Sequence, residues 1–140
     1  MKKTMIVVML ILLLMGSCFV YADDIEEPVQ ETDVADYVAV DSAEAQLVMS
    51  GNRARCTVII EASNSSNANK VVLTVNYVKS NGVSVGTESV TVYRSDNLFT
   101  GITTKRLTSH GRYYAKVTVK VYYNSQLIES FYLRSRDVVY

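Results

Sequence analysis

The sequence predicts an all-β protein, an antiparallel β-sandwich of about seven short strands. Between residues 45 and 140, apolar and polar side chains alternate with a period of two, as in strands that bury one face. Turn-forming residues recur roughly every eight to twelve positions, and no segment shows the helical period. Short strands at this spacing are typical of sandwiches, and about one hundred residues suffice for one core.

An apolar segment at the start of the chain has the form of a secretory signal peptide. Two lysines precede an unbroken apolar run over residues 5–15, and Ala22 is the small residue that favours cleavage before Asp23. The run is too short to span a membrane. We expect residues 1–22 to be removed and the mature protein to be secreted or associated with the cell surface.

A second interpretation makes Cys18 a lipid-modified N-terminus. Bacterial lipoprotein signals resemble this segment in placing small residues, here Gly16 and Ser17, before the cysteine. Met15 occupies a position where those signals usually carry a branched aliphatic residue. The pattern therefore favours soluble secretion over a lipid anchor at Cys18.

Charge is divided unequally along the remaining chain. Residues 23–44 hold nine acidic residues, no basic residue and the only proline, which predicts an extended acidic leader or linker. Residues 45–140 hold five acidic residues against twelve Lys and Arg, a net charge of plus seven. We therefore divide the chain into a signal peptide (1–22), an acidic leader (23–44) and a basic β-sandwich domain (45–140).

The first strands follow from alternation and from turn residues. A short strand is predicted at residues 45–49, and residues 53–62 form the next, with Cys56 on the inward parity. After a polar loop, residues 71–79 form a third strand. Asn81-Gly82 predicts a tight type I′ hairpin, because this pair tolerates positive φ, and the returning strand extends to Tyr93 with an interruption near Gly86. A weaker strand follows at residues 98–107.

The clearest alternation covers Arg112–Tyr123. Its predicted inward side chains are Tyr113, Ala115, Val117, Val119, Val121 and Tyr123, and its outward ones are Tyr114, Lys116, Thr118, Lys120 and Tyr122.

Two registers are open for the last hairpin. A two-residue turn at Asn124-Ser125 leads into a strand at Gln126–Arg134 and pairs Lys120 with Glu129. That register leaves Leu127, Phe131 and Leu133 outside. A longer loop with the opposite parity is the alternative.

Gly111-Arg112-Tyr113-Tyr114-Ala115 resembles the tyrosine corner of immunoglobulin-like domains. There, a Gly-x-Tyr-x-Cys run opens the penultimate strand and the tyrosine hydroxyl ties down the preceding loop. The resemblance implies that Tyr113 is the corner tyrosine and that Cys56 stands at the first cysteine of the family's disulfide. Ala115 replaces the second cysteine, and the chain has no tryptophan.

The mature chain carries no recognisable catalytic, cofactor or metal pattern. His110 is its one histidine, in a turn with no nucleophile motif nearby, and we interpret it as structural. Cys56 is expected to be a buried, inert thiol. Zinc and calcium sites need ligand sets that the sequence lacks. We therefore predict a non-enzymatic protein without a cofactor.

One basic and aromatic feature remains as a candidate ligand-binding face. Its residues are Tyr114, Lys116, Lys120, Tyr122 and Arg134, with Arg136 as a further extension. Ammonium and guanidinium groups neutralise anions, and tyrosine rings offer flat faces to sugars. The plain alternative is an ordinary solvated strand, since Lys, Thr and Tyr are all common there.

Two functions fit these observations. The first is binding of an anionic cell-envelope polymer, such as teichoic acid, or an acidic glycan, with the acidic leader as a spacer or as a competitor for the basic face. The second is a structural or interaction role in which an edge strand pairs with another copy or a partner chain. Neither involves nucleic acid.

Overall fold

The computed structural model describes residues 39–140 and confirms the antiparallel β-sandwich. The predicted signal peptide, Cys18 and residues 23–38 of the leader lie outside the described residues. The strands are β1 (Val40–Ser50), β2 (Arg53–Ala62), β3 (Lys70–Lys79), β4 (Ser84–Tyr93), β5 (Leu98–Arg106), β6 (Arg112–Tyr123), β7 (Gln126–Arg134) and β8 (Val138–Val139). Among residues 39–140, no helix has the length and apolar character needed to cross a membrane.

The strands form two antiparallel sheets. One has the order β1-β2-β5, and the other has the order β4-β3-β6-β7, with β8 beside the start of β6. Strand β4 pairs with β3, whereas in constant-type immunoglobulin domains the fourth strand joins the first two and the fifth. The strand order therefore departs from that arrangement at β4.

The core lies between the sheets and is built from the inward parity of each strand. In β2 the predicted inward residues, including Cys56, are all buried. In β6 the inward residues from Tyr113 to Val121 are buried as predicted, and they face the same parity of β3 across the ladder. Tyr123 is the exception. It is 45% exposed because it is the last residue before the turn at Asn124-Ser125.

Strand β1 begins at Val40, five residues before the predicted start of the first strand at Ala45. Ala39 and Val40 are buried in the core, and the Ala39 amide donates a hydrogen bond to the Glu129 carboxylate (3.0 Å). A register shift between Val40 and Ser42 breaks the period of two. Because this irregularity breaks the alternation of apolar and polar residues, the sequence pattern does not predict the first half of the strand.

The Asn81-Gly82 hairpin is present, but its predicted turn type is wrong. The Gly82 amide donates to the Lys79 carbonyl (2.8 Å), and the Lys79 amide donates to the Val83 carbonyl (2.9 Å). Only Gly82 has a positive φ, 88°. This is a three-residue loop rather than a type I′ turn. The predicted interruption near Gly86 is confirmed by a register shift between Tyr77 and Val78.

The last hairpin combines features of both predicted registers. The two-residue turn at Asn124-Ser125 is confirmed, since Tyr123 pairs with Gln126. A register shift between Val121 and Tyr122 then reverses the parity of β7, so Phe131 is buried and Lys120 pairs with Ser130. The predicted Lys120–Glu129 pair is therefore wrong. A single bulge brings the apolar side chains inside without lengthening the turn.

Tyr113 forms the expected corner. It is buried, and its hydroxyl donates a short hydrogen bond to the Ser109 carbonyl, four residues upstream. Ser109 Oγ lies 3.1 Å from the same hydroxyl. The Gly111 amide and carbonyl also exchange hydrogen bonds with Tyr140. The loop before β6 is therefore tied to the core and to the chain terminus.

Replacing Tyr113 with Phe removes the corner hydrogen bond and leaves the ring in place. We expect the free energy of unfolding to fall by about 1 kcal/mol, the usual net contribution of such a bond. Urea denaturation measures this change. Tyr123→Phe is the matched control, because Tyr123 is exposed on the same strand and should unfold like the parent. Equal stability of Tyr113→Phe and the parent would contradict a stabilising corner.

Candidate functional site

The outward face of the five-stranded sheet brings the predicted site residues together. Register places Lys116 opposite Arg134 of β7 and opposite Asn76 of β3. Toward the other end of β6, Lys120 lies between Val72 and Ser130, and Tyr122 lies opposite Lys70. Because outward side chains alternate along each strand, these residues share one side of the sheet.

The face is basic and rich in tyrosine. Its cations are Lys70, Lys116, Lys120 and Arg134, and its tyrosines are Tyr93, Tyr114, Tyr122 and Tyr132. We call these eight residues the basic tyrosine face. The acidic residues of the same four strands, Glu88 and Glu129, pair with the inward residues Val75 and Val121. The outward parity of the sheet therefore carries one sign of charge.

Cations and rings are paired across neighbouring strands. The Arg134 guanidinium carbon lies 4.0 Å from the centre of the Tyr114 ring, and Lys70 Nζ lies 4.9 Å from that of Tyr122. Lys116 Nζ lies 6.0 Å from the centre of the Tyr132 ring. Each contact holds the cation over a ring face by electrostatic attraction to the π-system. The contacts hold long side chains against the sheet.

The cations differ in how far they are already neutralised. Arg134 forms an ion pair with Asp137 (2.9 Å) and donates to the Ser135 carbonyl (3.3 Å), so its charge is largely committed. Lys116 and Lys120 form no ion pair within residues 39–140. Four residues apart on one strand, they stand about 13 Å from each other. Lys70 likewise forms no ion pair within these residues, so the three lysines are the charges of the face that no acidic side chain neutralises.

Three members of the basic tyrosine face were not predicted, namely Lys70, Tyr93 and Tyr132. Lys70 was assigned to a loop, although it is the first residue of β3. Tyr132 faces outward only because of the bulge in β7, which sequence parity does not reveal. It is also the third most exposed of the large hydrophobic side chains within residues 39–140, at 64%. Arg136, suggested as an extension, lies in the loop between β7 and β8.

The other reactive side chains are occupied or buried. The His110 ring stacks on Tyr140 with centroids 4.4 Å apart. Burial raises the pKa of the Cys56 thiol to about 11. Burial also raises the pKa of the Tyr77 hydroxyl to about 12, and this hydroxyl lies 2.7 Å from Thr103 Oγ1. Within residues 39–140, no three His, Cys, Asp or Glu side chains cluster as metal ligands would.

Comparison with known proteins shows similarity in fold only. No protein-family model matches the chain, and no curated protein matches it. A β-glucuronidase of glycoside hydrolase family 2 is 17% identical over 66% of this chain and 11% of its own, with a TM-score of 0.44. Ruminococcus gnavus β-glucuronidase is 10% identical over 68% of this chain and 15% of its own, with a TM-score of 0.42.

A third similar structure is a glycoside hydrolase family 2 member from Bacteroides cellulosilyticus. It is 15% identical over 66% of this chain and 14% of its own, with a TM-score of 0.42. The present chain thus spans only 11% to 15% of the length of these enzymes. Their activities are not carried over to it.

The buried position of Cys56 predicts an inert thiol. A thiol must be accessible and ionised to react, and in the folded protein Cys56 is neither near neutral pH. We expect a thiol reagent at pH 8 to label Cys56 only as fast as the protein unfolds, and promptly in denaturant. Mass spectrometry of the chain that begins at Asp23 measures the labelling rates under native conditions and in denaturant. Rapid labelling under native conditions, or a disulfide-linked dimer on nonreducing gels, would contradict burial.

Proposed function

We propose that this chain is a small secreted bacterial protein without catalytic activity. In this proposal it binds an anionic cell-envelope polymer or an acidic glycan through the basic tyrosine face. The observation that carries the proposal is the single sign of charge on that face, four cations with four tyrosines and no outward acid on the same strands. A surface of one sign attracts polyanions and raises their rate of encounter.

The residues of the face have different roles in binding, according to their chemistry. Lys116 and Lys120 supply ammonium donors to phosphate or carboxylate groups, since no acidic side chain within residues 39–140 neutralises them. Tyr132 and Tyr122 offer ring faces on which a sugar ring lies flat. Arg134 mainly orients Tyr114, because its guanidinium is held by Asp137 and by the ring.

The described part of the chain begins beside β7, an edge strand of the sheet that carries the basic tyrosine face. Ala39, the first described residue, is hydrogen-bonded to Glu129 of β7, the strand at one edge of the basic tyrosine face. Residues 23–38 carry seven acidic side chains. In the proposal they act as a spacer or as a weak competitor for the lysines. Cleavage before Asp23 gives a soluble protein, whereas lipidation at Cys18 gives an anchored one.

Pairing through an edge strand has less support as a function. Strands β1, β4 and β7 lie at sheet edges, and each carries a register shift. Such bulges twist an edge and interrupt its row of free backbone groups, which disfavours addition of another strand. The fourth edge strand, β5, packs against β4, where Lys105 and Glu88 form an ion pair (3.3 Å).

Charge reversal at two lysines tests the proposal. Lys116→Glu with Lys120→Glu should weaken binding of an anionic oligomer roughly tenfold or more, since two attractions become repulsions. Isothermal titration calorimetry of the chain that begins at Asp23 measures the loss of affinity, with a poly(glycerol phosphate) oligomer and an oligogalacturonate as probes. Tyr132→Ala should weaken only the oligogalacturonate, because glycerol phosphate has no sugar ring to stack.

The matched control is Arg53→Glu with Arg55→Glu. It makes the same change in net charge on the outward side of β2, in the other sheet, and should leave both affinities within about twofold at moderate salt. Equal losses in the two double variants would mean that net charge alone attracts the probes. Absence of binding to either probe in the parent chain would contradict the proposal.

A further inference from the structure

The outward face of the three-stranded sheet exposes four aliphatic side chains among polar ones. Val48 of β1, Ile59 of β2, and Leu98 and Ile102 of β5 are each 44% to 50% exposed. Register places Ile102 opposite Thr57 in the middle of the sheet, and Ile59 lies diagonally between Leu98 and Ile102. An exposed sheet face of mixed apolar and charged residues can serve as an interaction site.

Opposite charges stand at the two ends of this face. Arg53 lies opposite Arg106 at one end, and Arg55 follows on the same strand. At the other end are Glu61 and Glu44, the latter opposite Ile59. None of the three arginines and neither glutamate forms an ion pair within residues 39–140. The face therefore runs from basic to acidic over about 27 Å, eight residues of β2.

We propose that this face binds a second copy of the same chain, face to face. A two-fold axis that lies between the two copies, parallel to the sheet, perpendicular to β2 and level with Thr57, superposes the basic end of each copy on the acidic end of the other. Arg53 then faces the Glu61 position, and Arg55 lies beside the Glu44 position. Ile102 packs against its own equivalent near the axis. A surface that matches itself in this way forms a closed, isologous dimer.

The charge pattern selects this arrangement over its alternatives. A two-fold axis parallel to β2 would place arginines on arginines and glutamates on glutamates, which is repulsive. A ligand of one sign would be attracted by one end and repelled by the other. A second copy turned end for end satisfies both ends at once, with Ile102 against its own equivalent between them.

The size of the face predicts a reversible dimer. Three strands about 4.8 Å apart and about 30 Å long present a flat area of about 400 Å² per copy, below the roughly 800 Å² per partner of a standard specific interface. We therefore expect concentration-dependent association, weakened by salt because the charged ends are exposed at the rim. Face-to-face stacking also differs from edge pairing, since it uses side chains rather than backbone groups.

Sedimentation equilibrium of the chain from Asp23 tests the dimer. The parent should show a reversible monomer–dimer equilibrium. Arg53→Glu with Arg55→Glu makes both ends acidic, and Glu44→Arg with Glu61→Arg makes both ends basic. Each double variant alone should weaken dimerisation at least tenfold, whereas an equimolar mixture should form a heterodimer. Recovery in the mixture identifies the opposite ends as the contacting surfaces.

A pair of apolar variants completes the test. Ile102→Asp should abolish the dimer, while Leu127→Asp, at a similarly exposed residue of the other sheet, should leave it unchanged. Circular dichroism confirms that each variant is folded. A parent chain that stays monomeric at millimolar concentration would overturn the proposal, as would two double variants that each dimerise like the parent. These outcomes are independent of polyanion binding, which concerns the opposite face.

Discussion

The two-residue period of β6 is the constraint on which both the core and the candidate site depend. This strand pairs with β3 along its whole length and with β7 and β8 on its other side. A slip of one residue would exchange its faces, burying Lys116 and Lys120 and exposing Val117 and Val119. The cost of burying two unpaired ammonium groups excludes that register. The packing that stabilises the sandwich thus also places the lysines on its surface.

Much of the fold follows from the sequence, and bulges account for the missed strand start and the open register. The bounds of β6 and β7 are as predicted, because strong alternation and Asn124-Ser125 mark them. The predicted start of β1 is wrong at a bulge near Val40, and the parity of β7, which the sequence left open, is decided by a bulge opposite Val121. A bulge is a property of two paired strands, so the alternation of one strand does not reveal it.

The difference between regular alternation and bulges also decides which residues of the candidate site can be predicted from the sequence. Tyr114, Lys116, Lys120 and Tyr122 lie on one regular strand, so their common face follows from parity alone. Arg134 and Tyr132 have the same parity on β7, and both face outward only through the bulge. Lys70 reaches the face by pairing with Tyr122 across strands far apart in sequence. Contributions from other strands require the register, which the sequence left open.

The two outward faces of the sandwich differ in how charge is arranged, and this separates their roles. The basic tyrosine face carries one sign, so it repels a second copy of itself and suits an anionic polymer. The face of β1, β2 and β5 carries both signs at opposite ends and suits a second copy. A dimer built on the latter presents two basic tyrosine faces pointing away from each other.

We propose above all that the basic tyrosine face is the ligand-binding surface. Its most direct test is a titration of the isotopically labelled chain with an anionic oligomer, followed by amide chemical shifts. We expect the largest changes in amide chemical shift in β6 and β7, around Lys116, Lys120 and Tyr132, and little change in β2. Shifts confined to the β1-β2-β5 sheet, or spread evenly over both sheets, would contradict it.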